Sequence, residues 1–372
     1  MPSRRLTVLQ MVPALDSGGV ERGTLEVSDE LVRQGHRSLV ISAGGRMVPR
    51  LEQSGGEHTE WKINRKSLWM LKFVRPLRRF LQEQQVDIIH ARSRIPAWIA
   101  WLAWRKMPEN QRPHFITTAH GLYRVNFYSE IMSRGERVIS VSEIVDSYLR
   151  TNYPKLDANC IRLIPRGIDP EEFPRDYQPS AEWKQKFFQA YPQLAGKTLL
   201  TMVGRITRCK GHHEFLQLLH KLRHTRPDIH GLIVGSPDQR RQGYYRELQQ
   251  TVKQLQLNDV VTFAGHRSDV KEVYALSDLI LMLTSDPPES FGRATVEALN
   301  IGTPVVGWDC GGTSELLRTI CPQGLVPQGN IDQLADTVIR ALSEKWSPAR
   351  EHPYLKQEML RKELALYEEI AA

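Results

Sequence analysis

Asp286-Pro-Pro-Glu-Ser-Phe-Gly-Arg-Ala-Thr-Val-Glu-Ala-Leu-Asn-Ile-Gly-Thr-Pro-Val-Val-Gly307 decides how this sequence folds. The run before it, Leu279-Ile-Leu-Met-Leu-Thr284, is apolar throughout and predicts a buried strand. A short loop follows, then helical spacing from about Gly292 to Asn300. Gly302 stands where a helix C-cap falls, and Pro304 opens the next apolar run. The local order is therefore strand, loop, helix, strand. Two carboxylates sit on it unequally, Glu289 in the loop and Glu297 in the helix. Between them Ser290, Phe291 and Gly292 present backbone N–H groups at a helix N-terminus. Free donors and a partial positive charge there suit a phosphate or a sugar oxygen. Two Glu at this spacing are ordinarily a surface residue and a solvated helix residue, so the neighbours must decide.

The same alternation runs through the chain. Strand-like runs in the first half are Leu6–Val12, Ser38–Ser42, Val86–His90, His114–Thr118, Arg137–Ser142 and Cys160–Pro165. Helical patterns there cover Gly23–Gln34, Leu68–Gln85 and Pro96–Lys106. Residues 171–196 turn polar and proline-bearing, as a linker with a lead-in helix would. A second series follows, with strands at Leu199–Val203, His230–Val234, Val260–Ala264, Leu279–Thr284 and Thr303–Gly307. Its helices fall at Gly211–Arg223, Tyr244–Leu257, Val270–Ala275, Phe291–Asn300, Thr313–Thr319 and Ile331–Ser343. Alternation of this kind predicts parallel sheets with helices on both faces, and ligands at the carboxyl ends of the strands. The fold class is α/β, with two Rossmann-like domains facing each other across a cleft. The expected division is 1–172, 173–350, and a terminal helix over 351–372.

The 372 residues suffice for two full cores, and 41% hydrophobic with 25% charged content is ordinary for a globular enzyme. No apolar run reaches membrane-spanning length. Leu6–Val12 is too short and lacks the cleavage site of a signal peptide, so it reads as a first strand. Cys160, Cys209, Cys310 and Cys321 form no zinc or disulfide spacing, which fits a reducing cytoplasm. The formal charge of +8 favours anionic partners without choosing among nucleotide phosphates, lipid headgroups and nucleic acid.

Several strand ends carry chemistry. Gly204-Arg-Ile-Thr-Arg-Cys-Lys-Gly-His212 lies between a strand and a helix and is not a Walker motif. Its Arg205 and Lys210 could clamp a diphosphate, or be solvated surface cations; Arg208 is a weaker candidate. Gly235, in the turn Val234-Gly-Ser-Pro-Asp238, permits close backbone approach. Asp309-Cys-Gly-Gly-Thr-Ser-Glu315 offers a tight turn and a helix cap, with Glu315 read as structural. Gly18 and Gly19 follow the first strand. His90 and Arg92 end one strand, and His120-Gly121 another.

Taken together these residues resemble the retaining glycosyltransferases of family four, which have the GT-B fold. The likeness rests on Glu289-x7-Glu297 with Phe291-Gly292 between, on Gly204-Arg205-x4-Lys210-Gly211, on Thr117-Thr-Ala-His120-Gly121 and on Gly18-Gly19-Val-Glu21. It spans most of the chain and is looser in the first half. It implies that Glu297 holds the nucleotide ribose, that Glu289 contacts the donor sugar, and that the Ser290, Phe291 and Gly292 amides meet the distal phosphate. Gly18, Gly19, Gly204, Gly235, His266 and Arg267 join the donor site. His120 stands beside the donor sugar, with Arg205, Lys210 and Glu289 in the catalytic set. His90, Arg92, Tyr123 and Arg124 are candidate acceptor contacts, with Asn126 shaping their pocket. Arg166-Gly-Ile-Asp departs from the family's usual Asn at the first position.

The activity so implied is transfer of a sugar from a nucleotide-sugar donor, with uridine as the family's base, to a hydroxyl of a glycan or glycolipid, in lipopolysaccharide core or other surface-polysaccharide assembly. Retention follows from the resemblance alone. No Asp-x-Asp motif is placed to hold a metal, so metal independence is expected and no cofactor is implied. Two alternatives stand beside it: a GT-B epimerase or phosphorylase-like enzyme, and a non-enzymatic basic binder of membrane or nucleic acid. No RNA-binding signature is present. Trp61–Arg75 and Trp98-Ile-Ala-Trp-Leu-Ala-Trp-Arg-Lys106 mix aromatic and basic residues, either a peripheral face for the anionic inner membrane or a buried aromatic stripe.

Overall fold

Seven strands of the N-terminal half lie in one parallel sheet among the described residues: β1 (Thr7–Met11), β2 (Arg37–Ser42), β3 (Glu57–Glu60), β4 (Ile88–Ala91), β5 (His114–Ala119), β6 (Arg137–Ser140) and β7 (Ile161–Leu163). Their order is β3-β2-β1-β4-β5-β6-β7. Six more, β8 (Thr198–Val203), β9 (Ile229–Val234), β10 (Val261–Gly265), β11 (Leu279–Met282), β12 (Val305–Trp308) and β13 (Leu325–Val326), form a second parallel sheet in the order β10-β9-β8-β11-β12-β13. Each sheet thus starts centrally, winds to one edge, and returns to the other side of its first strand. The reversal falls between β1 and β4, and between β8 and β11. Loops leaving those strand pairs diverge to opposite faces and leave a crevice at the carboxyl edge. The structure is a computed structural model describing residues 4–16, 18–237 and 242–372.

The chain divides into two compact units. One comprises the residues up to Arg166 together with Gln357–Ala372, and the other Gly167–Lys356. Within the second unit the outgoing and returning segments run side by side, with a parallel bridge from Ile168 to Leu355 and a bond from the Lys356 amide to the Ile168 carbonyl at 2.7 Å. A Cβ on Gly167 would fall 2.3 Å from the Leu355 backbone, so the pairing needs glycine there.

Both faces of the first sheet are covered, which is why its central strands carry apolar residues on both sides. Leu9, Ile89 and Phe115 face one core with the helix Arg94–Trp104. Val8, Ile88 and Ile116 face the other, where Met359, Leu360, Leu364 and Tyr367 of the helix Lys356–Ala371 pack. The second sheet is filled the same way, Leu200, Leu279 and Leu281 packing on one side and Ile280 and Val305 on the other.

Two expectations change. The single helix expected over Leu68–Gln85 is a 3-10 helix over Leu68–Phe73 followed by an α-helix over Val74–Glu83. Pro76 is the cause: proline fits the first turn of an α-helix, but deeper inside its ring would meet a preceding carbonyl. The aromatic stripe is also divided. Trp98 is buried and donates to the Tyr128 carbonyl at 3.0 Å, and Trp104 donates to the Pro113 carbonyl at 2.8 Å, so those rings are core. Leu68 and Trp69 remain 84% and 76% exposed.

Candidate active site

Three loops meet at the reversal point of the second sheet. Residues 204–211 leave β8, 283–292 leave β11, and 309–312 leave β12. The Ser285 amide donates to the Cys209 carbonyl at 3.0 Å, tying the first loop to the second. Gly211, at φ 78°, lies so close to Leu283 that a Cβ would sit 2.3 Å from its carbonyl oxygen. The Gly312 amide donates to the Glu289 carbonyl at 2.8 Å, and Cβ atoms on Gly311 or Gly312 would strike the backbone of Glu289 and Phe291. The turn Gly311-Gly312 is thus a backstop for the segment carrying Glu289, Ser290 and Phe291.

On this frame the Lys210 ammonium donates to the Glu289 carboxylate, with both side chains about three-quarters buried. Two members of the sequence-predicted set, 79 residues apart, are therefore in contact. Arg205 is exposed and makes no side-chain hydrogen bond or ion pair with the described residues, so its guanidinium is uncommitted. Gly292 adopts φ 94° and caps the helix Arg293–Ile301. That conformation suits glycine and turns the last loop amides toward the helix N-terminus. The Thr295 and Thr313 hydroxyl oxygens, both buried beside Gly292, find no partner among the described residues.

Glu297 lies one turn inside that helix and is 7% exposed. Arg293 donates to its Oε1 at 3.1 Å and the Tyr274 hydroxyl to its Oε2 at 3.2 Å. Burial, reinforced by the Glu297 charge, pushes the Tyr274 phenol well above its usual range and keeps it a donor. A carboxylate has two acceptor oxygens, the pairing that a vicinal diol can meet. Gly204, Gly235 and Gly265 end the three adjacent strands β8, β9 and β10, all at positive φ. The Gly235 amide donates to the Gly265 carbonyl at 2.8 Å, and a Cβ on Gly235 would lie 1.8 Å from the Gly204 carbonyl oxygen. They form a bare backbone shelf beside the loops. Asp238, at the end of the turn after β9, lies outside the described residues.

In the first unit, Gly18 caps the helix Gly19–Arg33 at φ 143° and closes on the Glu21 carboxylate; Ser17 beside it is outside the described residues. His120 ends β5, its Nδ1 2.9 Å from an Arg166 nitrogen and its amide donating to the Tyr123 hydroxyl at 3.1 Å.

Residues 17–172 match the family described as Glycosyltransferase Family 4, and residues 184–357 match Glycosyl transferases group 1. A glycosyltransferase of known structure from Rickettsia africae ESF-5 is 31% identical over 99% of both chains, with a TM-score of 0.86. The chain belongs to the GT-B glycosyltransferases of family four.

An Anabaena protein solved with UDP-glucose shares the fold at a TM-score of 0.75 and 21% identity, covering 99% of this chain and 94% of its own. Among curated proteins, the N-acetyl-alpha-D-glucosaminyl L-malate synthase of Bacillus anthracis is 25% identical over 90% of this chain and 86% of its own length. The lipopolysaccharide 1,2-N-acetylglucosaminetransferase of Salmonella typhimurium is 24% identical over 71% of this chain and 65% of its own.

Not every candidate of this glycosyltransferase stands where sequence placed it. The assignment of His90 and Arg92 to an acceptor is corrected by burial: their side chains are 0% and 1% exposed. Arg92 donates to Glu363 and, at 2.7 Å, to Gln10, while His90 contacts the Tyr367 hydroxyl at 2.6 Å and Thr118 at 2.5 Å. These residues bind the terminal helix to the reversal point of the first sheet. Burial, with Arg92 close by, lowers His90 to about 4. Burial opposes the charge of Glu363, yet Arg92 and His90 hold its carboxyl below the usual range. Arg267 pairs with Asp269, at 2.9 Å through its Nε, and stacks over Phe187, so its side chain is committed locally while His266 is exposed. Arg208 pairs with Glu247. Tyr123 is half-buried under Arg94, whose guanidinium lies 4.8 Å from the ring centroid; Arg124 and Asn126 are exposed, Asn126 capping the helix Phe127–Glu130.

Sequence reasoning missed Tyr274 and Arg293 as holders of Glu297, and Glu363 and Tyr367 as holders of Arg92 and His90. Arg293, four residues before Glu297, carried an i,i+4 signal. Tyr274 and the terminal helix carried none.

Proposed function

We propose that this glycosyltransferase moves a sugar from a uridine-diphosphate sugar to a hydroxyl of a glycan or glycolipid, with retention, in lipopolysaccharide core or another surface polysaccharide. The observation that carries the reading is the joined Lys210–Glu289 pair at the reversal point, beside the Gly292 helix terminus and the buried Glu297. The UDP-glucose held by the Anabaena neighbour supports the donor class, and the Salmonella relative supports the acceptor class.

In this scheme Glu297 accepts the ribose hydroxyls and the Ser290–Gly292 amides meet the distal phosphate. The Lys210 ammonium passes from Glu289 to the diphosphate, joined there by Arg205, and Glu289 is released to a donor-sugar hydroxyl. Fixed cations and amides aimed at a leaving diphosphate act where charge develops. The bond from the anomeric carbon to the phosphate oxygen breaks, and its electron pair leaves with the nucleoside diphosphate. The acceptor oxygen bonds that carbon on the same face and gives its proton to the departing phosphate oxygen. The cationic side chains supply the neutralisation a divalent ion supplies elsewhere, so the rate should survive chelation by EDTA.

The deciding assay mixes the enzyme with nucleotide-sugars with and without a glycan acceptor. Release of free nucleotide only with acceptor, with loss of at least a hundredfold in rate for Glu289→Ala, is the expected result. Donor conversion without acceptor would favour the epimerase or phosphorylase alternative, and a fully active Glu289→Ala would overturn the site.

Peripheral contact with an anionic membrane, from the cytoplasmic side, is proposed on a separate observation. Lys62 to Arg79 holds seven cations and no acidic residue, around the exposed Leu68, Trp69 and Leu71. No helix among the described residues is long and apolar enough to cross a membrane. Trp69→Glu should abolish co-sedimentation with phosphatidylglycerol vesicles; equal binding to neutral vesicles would refute the electrostatic part.

A further inference from the structure

His120 and Arg166 form a pair that the family resemblance does not supply, since Arg166 stands where the family usually has Asn. The Arg166 Nη2 lies 2.9 Å from the His120 Nδ1. A guanidinium carries only donors, so Nδ1 must be the acceptor. The ring proton is then on Nε2. That atom is buried and has no hydrogen-bond partner among the described residues. A buried donor without an acceptor is destabilising, and a ligand oxygen placed there removes that penalty.

The surroundings are built for this arrangement. Gly23, inside the helix Gly19–Arg33, is where the guanidinium passes: a Cβ there would lie 2.0 Å from Arg166 Nη1. The same nitrogen lies 4.0 Å from the Met359 sulfur of the terminal helix. The charged and titratable groups facing His120 are Arg166 from the segment after β7, His90 from β4, Arg92 just after it, and Tyr123 from the loop after β5. None of these supplies an anion to stabilise an imidazolium. Burial first, then Arg166 and Arg92, keep the ring well below its ordinary range.

We infer that Arg166 is a positioning residue that locks His120 into the Nε2–H tautomer, so that His120 presents a hydrogen-bond donor, and not a base, to a sugar oxygen at the end of β5. The ligand named here rests on the glycosyl-transfer reading; the tautomer does not.

The test separates the two. Nitrogen-15 NMR of histidine-labelled protein without substrate should show His120 as the neutral Nε2–H form through the pH range in which an exposed histidine takes up its proton. In Arg166→Met the ring should titrate at a higher pH than in the wild type and lose its single tautomer, while Arg166→Lys, which still donates, should restore much of the wild-type behaviour. In the transferase assay Arg166→Met should shift the acid limb of kcat to higher pH than in the wild type. Should Arg166→Met not fold, Gly23→Ala displaces the guanidinium without removing it and should move the same signals. An Nδ1–H tautomer in the wild type, or a titration unchanged by these substitutions, overturns the proposal. A locked tautomer in a protein that transfers no sugar would sink the functional reading and leave the lock standing.

Discussion

Glu297 keeps a carboxylate where burial makes charge expensive. Arg293, from the same helix, donates to one oxygen and Tyr274, from the neighbouring helix Val270–Leu276, to the other. Such orientation is what a ribose diol needs, because each hydroxyl then meets a fixed acceptor. A hydrogen bond to a charged group contributes roughly 1.5–3 kcal/mol, so Glu297→Ala should weaken nucleoside diphosphate binding by about tenfold to a hundredfold. Calorimetric titration with UDP measures this without turnover. Unchanged affinity would remove Glu297 from the donor site. Lys210 and Glu289 behave differently: each is the other's partner, so removing one frees the other, and their effects on activity should not add.

At the scale of elements, the site is a set of loop contacts that only glycine permits. Gly312 is the sharpest case: its added Cβ would fall 2.4 Å from the Phe291 carbonyl oxygen and 2.5 Å from the Phe291 Cα. Backbone cannot yield as a side-chain end can, so Gly312→Ala must move the segment holding Ser290 and Phe291. We expect kcat/KM to fall by at least tenfold, with the melting temperature lowered by only a few degrees, since the sheet beneath is untouched. Wild-type activity in that variant would show that the backstop does not place the amides. The stretch Asp286–Gly307 was legible because strand, glycine and helix signals agree within it. The strand Glu57–Glu60 was not: Glu-His-Thr-Glu carries no apolar alternation, and as an edge strand it needs none. The strand Leu325–Val326 is too short to signal, and the helices Val48–Gln53 and Glu143–Asn152 lie in stretches to which the sequence reading assigned no element. The cluster of Arg92 and Glu363 was beyond local reading altogether, as its members are 271 residues apart and meet only after the terminal helix covers the first sheet.

Across the whole molecule the titrating groups make acid destabilising in a definite window. His90, His212 and His230 are each lowered to about 4, chiefly by burial, and burial lowers His120 as well. A histidine whose folded value lies below its unfolded value is held neutral by the fold. Below about pH 6.5 the unfolded chain takes up protons that the folded chain refuses, so stability falls as pH drops and levels off only near the folded values. The buried carboxylate Glu363 is shifted down as well, but its contribution is lost only below the ordinary carboxylate range. Between pH 6.5 and 4.5 the histidines therefore set the slope, at about 1.4 kcal/mol per pH unit for each group fully held neutral. His90 and His120 belong to the unit containing β1 to β7, His212 and His230 to the unit containing β8 to β13. Both units should then weaken together, and urea midpoints followed separately by fluorescence of Trp98 and Trp308, in variants keeping one of these tryptophans, should both fall from pH 7 to pH 5. A midpoint flat over that range in either unit would mean that its histidines are not held neutral by burial, since His58 and His352, which also titrate there in the unfolded chain, are lowered by burial as well.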